Sequence, residues 1–515
     1  MRTRLIYPLD LVKARKTREQ LEYSRLLDVH KWSQHLEVNR FVYAIWGEYF
    51  RERFDVAGRG KRPKQHPKYQ LKVLLLDLYV AWKTDPDLLI GVGMSKADYK
   101  AGSRYNEIHI SAVMIDLINH AAEQGLIEKQ TGSESSGLRT RIWPTNRLID
   151  EFRQARFASL HISNHEDREV IVLNSQDFTE LSKIKPKRKS RSIEYNDSDF
   201  SEIQEMRRNL NLYNELLNKT FIDIPTLQNP VIEKRDESSG RETVHKIHVD
   251  QASKFVRRIF YRGSWNKGGR FHGGWWQQIP KEFRQQIYID DISTLEMDYS
   301  GLHVNLLYGL KGVQPVDDPY TVETLNELES EEQRKYIKSL ALMAINAESE
   351  NKAFQAFRNE QPTGSIAKRY NNKQLRIMLD AFKEKNFVIR DDICTDIGVQ
   401  LMNIDGKITS RLINHFTRRD IPILTIHDSY IVQNQYSCQL VQEMNRAATE
   451  ELRFQVRIDE GTGIGIDQIR AFQNMDRTNA RDFDYMYQSI PNHTRTEEYN
   501  NRLRLFNEYQ EEYLR

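Results

Sequence analysis

Ile421-Pro422-Ile423-Leu424-Thr425-Ile426-His427-Asp428-Ser429-Tyr430-Ile431-Val432 reads as two β-rich runs meeting at a polar turn. Such a hairpin pushes Asp428 out at its tip. Upstream, Leu295-Glu296-Met297-Asp298-Tyr299-Ser300-Gly301-Leu302-His303 sets a second carboxylate, Asp298, at the end of a short strand-like run. Val304 to Tyr308 then continues as a helix. Two carboxylates from separate segments are what a pair of Mg²⁺ ions needs, roughly 3.5 to 4 Å apart, to clamp the attacking and leaving oxygens of an in-line displacement.

Two further segments belong with this pair. In Arg334-Lys335-Tyr336-Ile337-Lys338-Ser339-Leu340-Ala341-Leu342-Met343-Ala344-Ile345-Asn346, residues 334, 338, 342 and 346 are spaced by four and share one helical face. Two cations one turn apart suit the charge of a triphosphate. Gly268-Gly269-Arg270-Phe271-His272-Gly273-Gly274-Trp275-Trp276-Gln277-Gln278-Ile279-Pro280 combines glycines, which let backbone approach a ligand, with an Arg and two Gln able to donate to phosphates or to minor-groove acceptors. Taken singly, each piece has a bland reading: an Asp after a strand is a cap or turn former, a basic stripe is a solvated helix face, His-Asp-Ser is a turn. The ordered set shifts the balance, because independent accidents multiply.

The chain around these segments is 515 residues long, with 76 Lys+Arg against 73 Asp+Glu, a net charge of +3, and 39% hydrophobic residues. That length predicts several domains with real cores. Cys394 and Cys438 cannot form a disulfide framework, and no CxxC pair makes a zinc site. No run reaches the roughly 18 apolar residues of a membrane span, and the first residues lack the apolar core of a signal peptide. The expected setting is cytoplasmic, of a prokaryotic or viral, nucleoid-associated type, with no membrane partner.

Residues 1 to about 70 read as helical and amphipathic, and Lys72 to Trp82 as a buried helix. From Asn106 to Thr145 the order helix, strand, Gly/Ser-rich tip, strand is that of a winged helix, with Arg139 and Arg141 as a basic wing for phosphate. A small packing module or a protein-docking domain would show the same order. Lys185 to Arg191 is strongly basic and reads as part of an inter-domain linker or a phosphate-tracking segment. The expected division is 1–160 helical plus winged-helix-like, 161–200 linker, 201–475 catalytic region, and 476–515 a C-terminal helical tail, packed or partner-binding.

At motif level, over roughly residues 201 to 475, the chain resembles the family-A DNA polymerases and their relatives, the single-subunit phage and mitochondrial RNA polymerases. Asp298-Tyr299-Ser300 resembles the start of motif A, whose Asp binds both metals. Arg334, Lys338, Leu342 and Asn346 resemble motif B, in which Arg and Lys contact the incoming triphosphate and Lys can protonate the leaving pyrophosphate. His427-Asp428 resembles motif C, with the second metal-binding Asp and a His near the primer end. Gly269-Arg270 and Gln277-Gln278-Ile279-Pro280 are similar to elements that cradle primer and template.

The resemblance implies an α+β right hand: an antiparallel palm sheet bearing Asp298 and Asp428, helical fingers around 325–400 and a helical thumb around 200–245. It implies catalytic Asp298, Asp428 and Lys338. Arg334, Lys338, Leu342, Tyr299 and His303 would bind nucleotide, and Arg270, Gln277, Gln278 and His427 would bind primer and template. The cofactor would be two Mg²⁺ ions at Asp298 and Asp428, with Mn²⁺ as a substitute. Partners would be a DNA primer-template or single-stranded template, nucleoside triphosphates, and a helicase or accessory subunit.

Departures from the pattern bear on sugar choice and fidelity. His303 stands where DNA polymerases carry a Glu that excludes the ribose 2′-hydroxyl, Leu342 replaces an aromatic, Asn346-Ala347 replaces Tyr-Gly, and Ser429 follows the Asp as in the RNA polymerases. The amino-terminal region has no Asp-x-Glu set of a proofreading exonuclease, and the chain has no GxxxxGK[ST] loop. The expected activity is template-directed DNA synthesis without editing, such as priming or gap filling for a phage, plasmid or other mobile element. The rivals are a single-subunit RNA polymerase or ribonucleotide-using primase, and a non-catalytic DNA-binding replication initiator.

Overall fold

A computed structural model describes residues 15–55, 65–100, 102–132, 137–175, 192–236, 243–322, 330–462 and 492–514. The chain is mixed α and β with several small sheets, and divides into two compact units, Met1–Arg168 and Glu169–Arg515. Among the described residues no helix is long and apolar enough to cross a membrane.

The first unit is built around the helix Pro67–Thr84. Pro67 at its first position and the His66 ring, which accepts from the Lys68 N–H, start it, and every residue from Gln70 to Ala81 is buried. A helix buried on every side must be central rather than superficial, and its polar Gln70, Lys72 and Asp77 are buried with it. A four-stranded sheet covers it in the order Ser24–Leu26, Leu89–Val92, Thr140–Pro144, Ile127–Gln130. The amino-terminal stretch is therefore not wholly helical: Ser24–Leu26 pairs in parallel with Leu89–Val92, a tertiary partner that its local pattern does not announce.

Helix Val113–Glu123 is followed by the hairpin of Ile127–Gln130 and Thr140–Pro144, registered from Ile127 opposite Pro144 to Gln130 opposite Arg141. Residues 133–136 of its tip lie outside the described residues. Arg139 is exposed, but Arg141 is not on a free wing. Its strand is interior to the sheet, and its guanidinium is buried, donating to the carbonyls of Leu21 at 3.0 Å and Arg139 at 2.9 Å. An arginine satisfied by buried carbonyls is not free for phosphate.

In the second unit, an antiparallel sheet runs Ile423–Ile426, Ser429–Gln433, Ile292–Tyr299, Tyr288–Ile289, Ile222–Asp223, with Ile458–Thr462 also paired to Ile292–Tyr299. A second sheet holds Ile171–Leu173 parallel to Val256–Tyr261, which forms a hairpin with Ser264–Gly273. Residues 171–173 are thus sheet rather than linker, and Tyr195 is buried with its hydroxyl on the Ile171 carbonyl. The basic run 185–191 lies outside the described residues. Helix Ile203–Lys219 is followed by short strands, so the described residues of 222–248 are not helical. Four helices, Ser330–Ile345, Glu350–Glu360, Asn372–Lys385 and Gly398–Thr417, fill 330–417.

The C-terminal helix Glu497–Leu514 is a packed element of this unit. Tyr499 and Phe506 are buried against Phe221, and Arg502 pairs with the buried Asp223 at 2.8 Å. Apolar burial plus a charge pair at the sheet edge explains why a helix with a weak apolar face stays docked.

Candidate active site

Strand Ile292–Tyr299 is buried along most of its length, and its last residues are in register with a strand on either side. Asp298 lies opposite Ser429 on one side and opposite Asp459 on the other. The turn between the next two strands is two residues, His427 and Asp428, with His427 at φ +57, a left-handed conformation rare for a residue bearing Cβ. That tight turn, and the Tyr299 N–H donating to the Asp428 carbonyl at 3.2 Å, bring Asp428 beside Asp298.

Both side chains keep some solvent access while embedded in protein. Burial, then the Asp428 charge, push Asp298 well above the usual carboxylate range. Burial, then the Asp405 charge, push Asp428 up, with Arg270 opposing. Lys338 favours the ionised form of both. Among the described residues neither carboxylate accepts a hydrogen bond from another side chain. Adjacent anions in a confined, oxygen-rich place, short of cationic partners, fit hard divalent cations.

Lys338, exposed, and Arg334 extend from helix Ser330–Ile345 over the face of Tyr320, each 5.9 Å from the ring centre. Tyr320 is buried against Gly301, where an added Cβ would sit 2.9 Å from the phenolic oxygen, and Gly301 has φ +60. Glycine there lets the ring close against the Asp298 strand. Arg334 is bound to Asp318 at 2.6 Å, so a triphosphate would have to compete for it. Leu342, one turn on, is 43% exposed on the same face. Asn346 turns back to the Leu342 carbonyl and packs on Gly398.

Arg270 is drawn inward. Its Nε donates to Asp405 and its Nη2 to His303 Nε2 at 2.9 Å. Because arginine only donates, His303 Nε2 must be the acceptor, which leaves the imidazole proton on Nδ1. His272, His303 and His427 surround this cation and are held neutral, chiefly by burial, with pKa values lowered to about 3, about 3 and about 4. Arg270 therefore does not present a duplex-facing surface. A buried guanidinium needs a buried anion, and Asp405 supplies it.

Three other residues stand apart from the roles their motifs imply. Tyr299 points to the opposite face of its strand from Asp298, buried, with its hydroxyl on the Met444 carbonyl at 2.6 Å, so it is core rather than a nucleotide contact. Gln277 spends its amide on backbone, accepting from the Gly273 N–H and donating to the carbonyls of Phe271 and Thr425. It staples two sheets together. Ser429 is buried and donates to Glu296 at 2.6 Å. Gln278 is exposed. Asp298, Asp428, Lys338, Arg334, His303, His427 and Arg270 do gather in one region.

Asp405 and Asp459 are missed by motif reading. Asp405 is a fully buried charge in the middle of helix Gly398–Thr417, where the amphipathic pattern demands an apolar residue, and that mismatch is the available signal. Asp459 alternates with apolar Ile458 in a short strand and pairs with Arg457 at 2.7 Å. Nothing local distinguishes it from a solvated strand residue.

No protein-family model matches the chain, and no curated protein matches it in sequence. Among solved structures, the POL domain of Pol1 from M. smegmatis, in complex with DNA primer-template and dNTP, aligns with 40% of this chain at 9% identity and a TM-score of 0.23. The alignment spans 47% of that chain.

Proposed function

We propose that this chain is a template-directed nucleotidyltransferase of right-hand organisation, with Asp298 and Asp428 holding two divalent cations, Mg²⁺ or Mn²⁺. The observation that carries the reading is the meeting of Asp298, at a strand end, and Asp428, in a hairpin turn, without side-chain hydrogen-bond partners among the described residues, near Lys338 on a third element. When bound, such ions activate the attacking 3′-hydroxyl and neutralise charge on the leaving pyrophosphate.

The protein's own residues do the rest. Lys338 Nζ neutralises the triphosphate and delivers a proton to the leaving oxygen. Tyr320 sets the height of Lys338 and Arg334 above the carboxylates, and Arg334 exchanges Asp318 for phosphate when nucleotide arrives. Leu342 offers an apolar surface beside the incoming nucleotide. Of the polar residues that the motifs assign to nucleic acid, Gln278 in the second unit and Arg139 in the first stay exposed, and a DNA primer-template or single-stranded template is the proposed partner, with a helicase or accessory subunit for loading. The proposed role is short, unedited synthesis in the replication of a phage, plasmid or similar element.

The test is extension of a labelled primer on single-stranded DNA with Mg²⁺, supplying dNTPs and NTPs in separate reactions. Extension by the wild type and none by Asp428→Ala is expected, and the better-used pool defines the sugar preference and separates a DNA polymerase from a ribonucleotide-using primase. Retained synthesis in Asp428→Ala would remove the site assignment. DNA binding with no extension from either pool would favour an initiator.

A further inference from the structure

We infer that Asp405 is a positioning residue that holds the Arg270 guanidinium off Asp428, so that the Asp428 carboxylate stays open to a divalent cation. This rests on the cation-holding role proposed above for Asp298 and Asp428.

The pair is built by close packing of two elements. Helix Gly398–Thr417 lies against strand Ser264–Gly273 at a point where a Cβ on Gly406 would sit 2.1 Å from the Gly269 carbonyl oxygen. Only glycine permits that approach, and the approach puts Asp405 and Arg270, each next to one of those glycines, within bonding distance. Asp405 is 0% exposed, and the Arg270 side chain is 15% exposed. Arg270 Nε is bound to Asp405 Oδ2 and Nη2 to His303, so two partners on two helices fix the guanidinium plane.

Arg270 cannot shed its proton, and a buried cation must have an anion. After Asp405, the next anion acting on it is Asp428. Without Asp405 the guanidinium would turn to Asp428, occupy its lone pairs and repel a divalent ion. With Asp405 in place, the positive charge lies close enough to favour the ionised Asp428 yet is bonded elsewhere. Asp405 Oδ1 is buried without a hydrogen-bond partner among the described residues. A carboxylate left half-satisfied in the interior has a reason to be there beyond stability.

The experiment is Mn²⁺ titration of the full chain, read by the electron paramagnetic resonance of free Mn²⁺, with thermal melts as a folding check. Asp405→Asn is expected to weaken binding by about 10- to 100-fold, the range for residues that orient metal ligands. The double variant Asp405→Asn with Arg270→Gln is expected to recover most of that loss, because the competing cation is gone. Asp405→Glu, which keeps the charge, is expected to bind better than Asp405→Asn.

Unchanged affinity in Asp405→Asn, or a double variant as weak as the single one, would overturn the inference. Should Asp405→Asn fail to fold, the double variant still decides, since its neutral amide pair must bind Mn²⁺ about as well as wild type. Asp428→Asn separates the two layers. If it leaves Mn²⁺ affinity intact, the cation site itself is wrong. If it weakens binding while Asp405→Asn does not, only the positioning role is wrong.

Discussion

Asp298 is costly to ionise in the folded chain, and the direction of its shift makes a stability prediction. A carboxylate raised above its ordinary value near 3.8 holds its proton more tightly folded than unfolded. Its stabilising contribution is present in acid and is lost as pH rises. In EDTA, Asp298→Asn should melt close to wild type at pH about 4 and several degrees higher at pH about 8, where the unfolded wild type is ionised and the folded one resists it. A melting difference that does not grow with pH would contradict the crowding of Asp298 and Asp428. Lys338→Ala should lower the extension rate by about 10²- to 10⁴-fold, the span of a lost general acid, with the fold unchanged in circular dichroism. Lys338→Arg, if fully active, would show that charge alone suffices.

The same scale explains the residues whose sequence roles differ from their places. The motif resemblance picks out Asp298, Asp428, Lys338 and Arg334, and these do lie together. Tyr299 follows Asp298 by one residue and so must face the other side of the strand, which turns it into core. Arg270 and Gln277 were legible as donors but not as donors already spent, because their acceptors, Asp405 and the Thr425 carbonyl, are 135 and 148 residues away along the chain.

Among the elements, helix Gly398–Thr417 makes a prediction that opposes its local preference. Replacing glycine by alanine within a helix ordinarily gains about 1 kcal/mol. At Gly406 the new methyl would meet the Gly269 carbonyl, so Gly406→Ala should instead lose about 1–3 kcal/mol in denaturant titration. A stabilised Gly406→Ala would refute that packing. For the C-terminal helix Glu497–Leu514, Phe506→Ala should cost about 3–5 kcal/mol, as a buried aromatic does. No loss would mean that the helix is not docked.

Element reading worked where pattern and burial agree. Lys72 to Trp82 announces a buried helix and is the core of its unit. The hairpin around Asp428 was readable from two β-branched runs and a polar turn. Strands Ser24–Leu26 and Ile171–Leu173 were not, since three residues carry too little period and their partners are distant.

For the whole molecule, two separate cores imply two cooperative units. Fragments 1–168 and 169–515 should each melt with a calorimetric transition of their own. A fragment that stays unfolded while its partner folds would show that the division is not energetic. Composition already made the chain globular, multidomain and free of a disulfide framework, and the spacing of four through 334, 338, 342 and 346 set two cations on one helical face.

Local sequence was enough for the groups with periodic or turn-bound positions: the buried helix, the Asp428 hairpin, the Asp298 strand end and the basic stripe. These depend on neighbours within a few residues. Which charges are free and which are bound follows from long-range packing. Arg270, Arg141, Gln277 and Arg334 are each engaged by partners brought from elsewhere in the chain, and Asp405 and Asp459 join the cluster through helix packing and strand register. Hydrogen-bond satisfaction in the interior is a property of the packed molecule, and no local spacing encodes it.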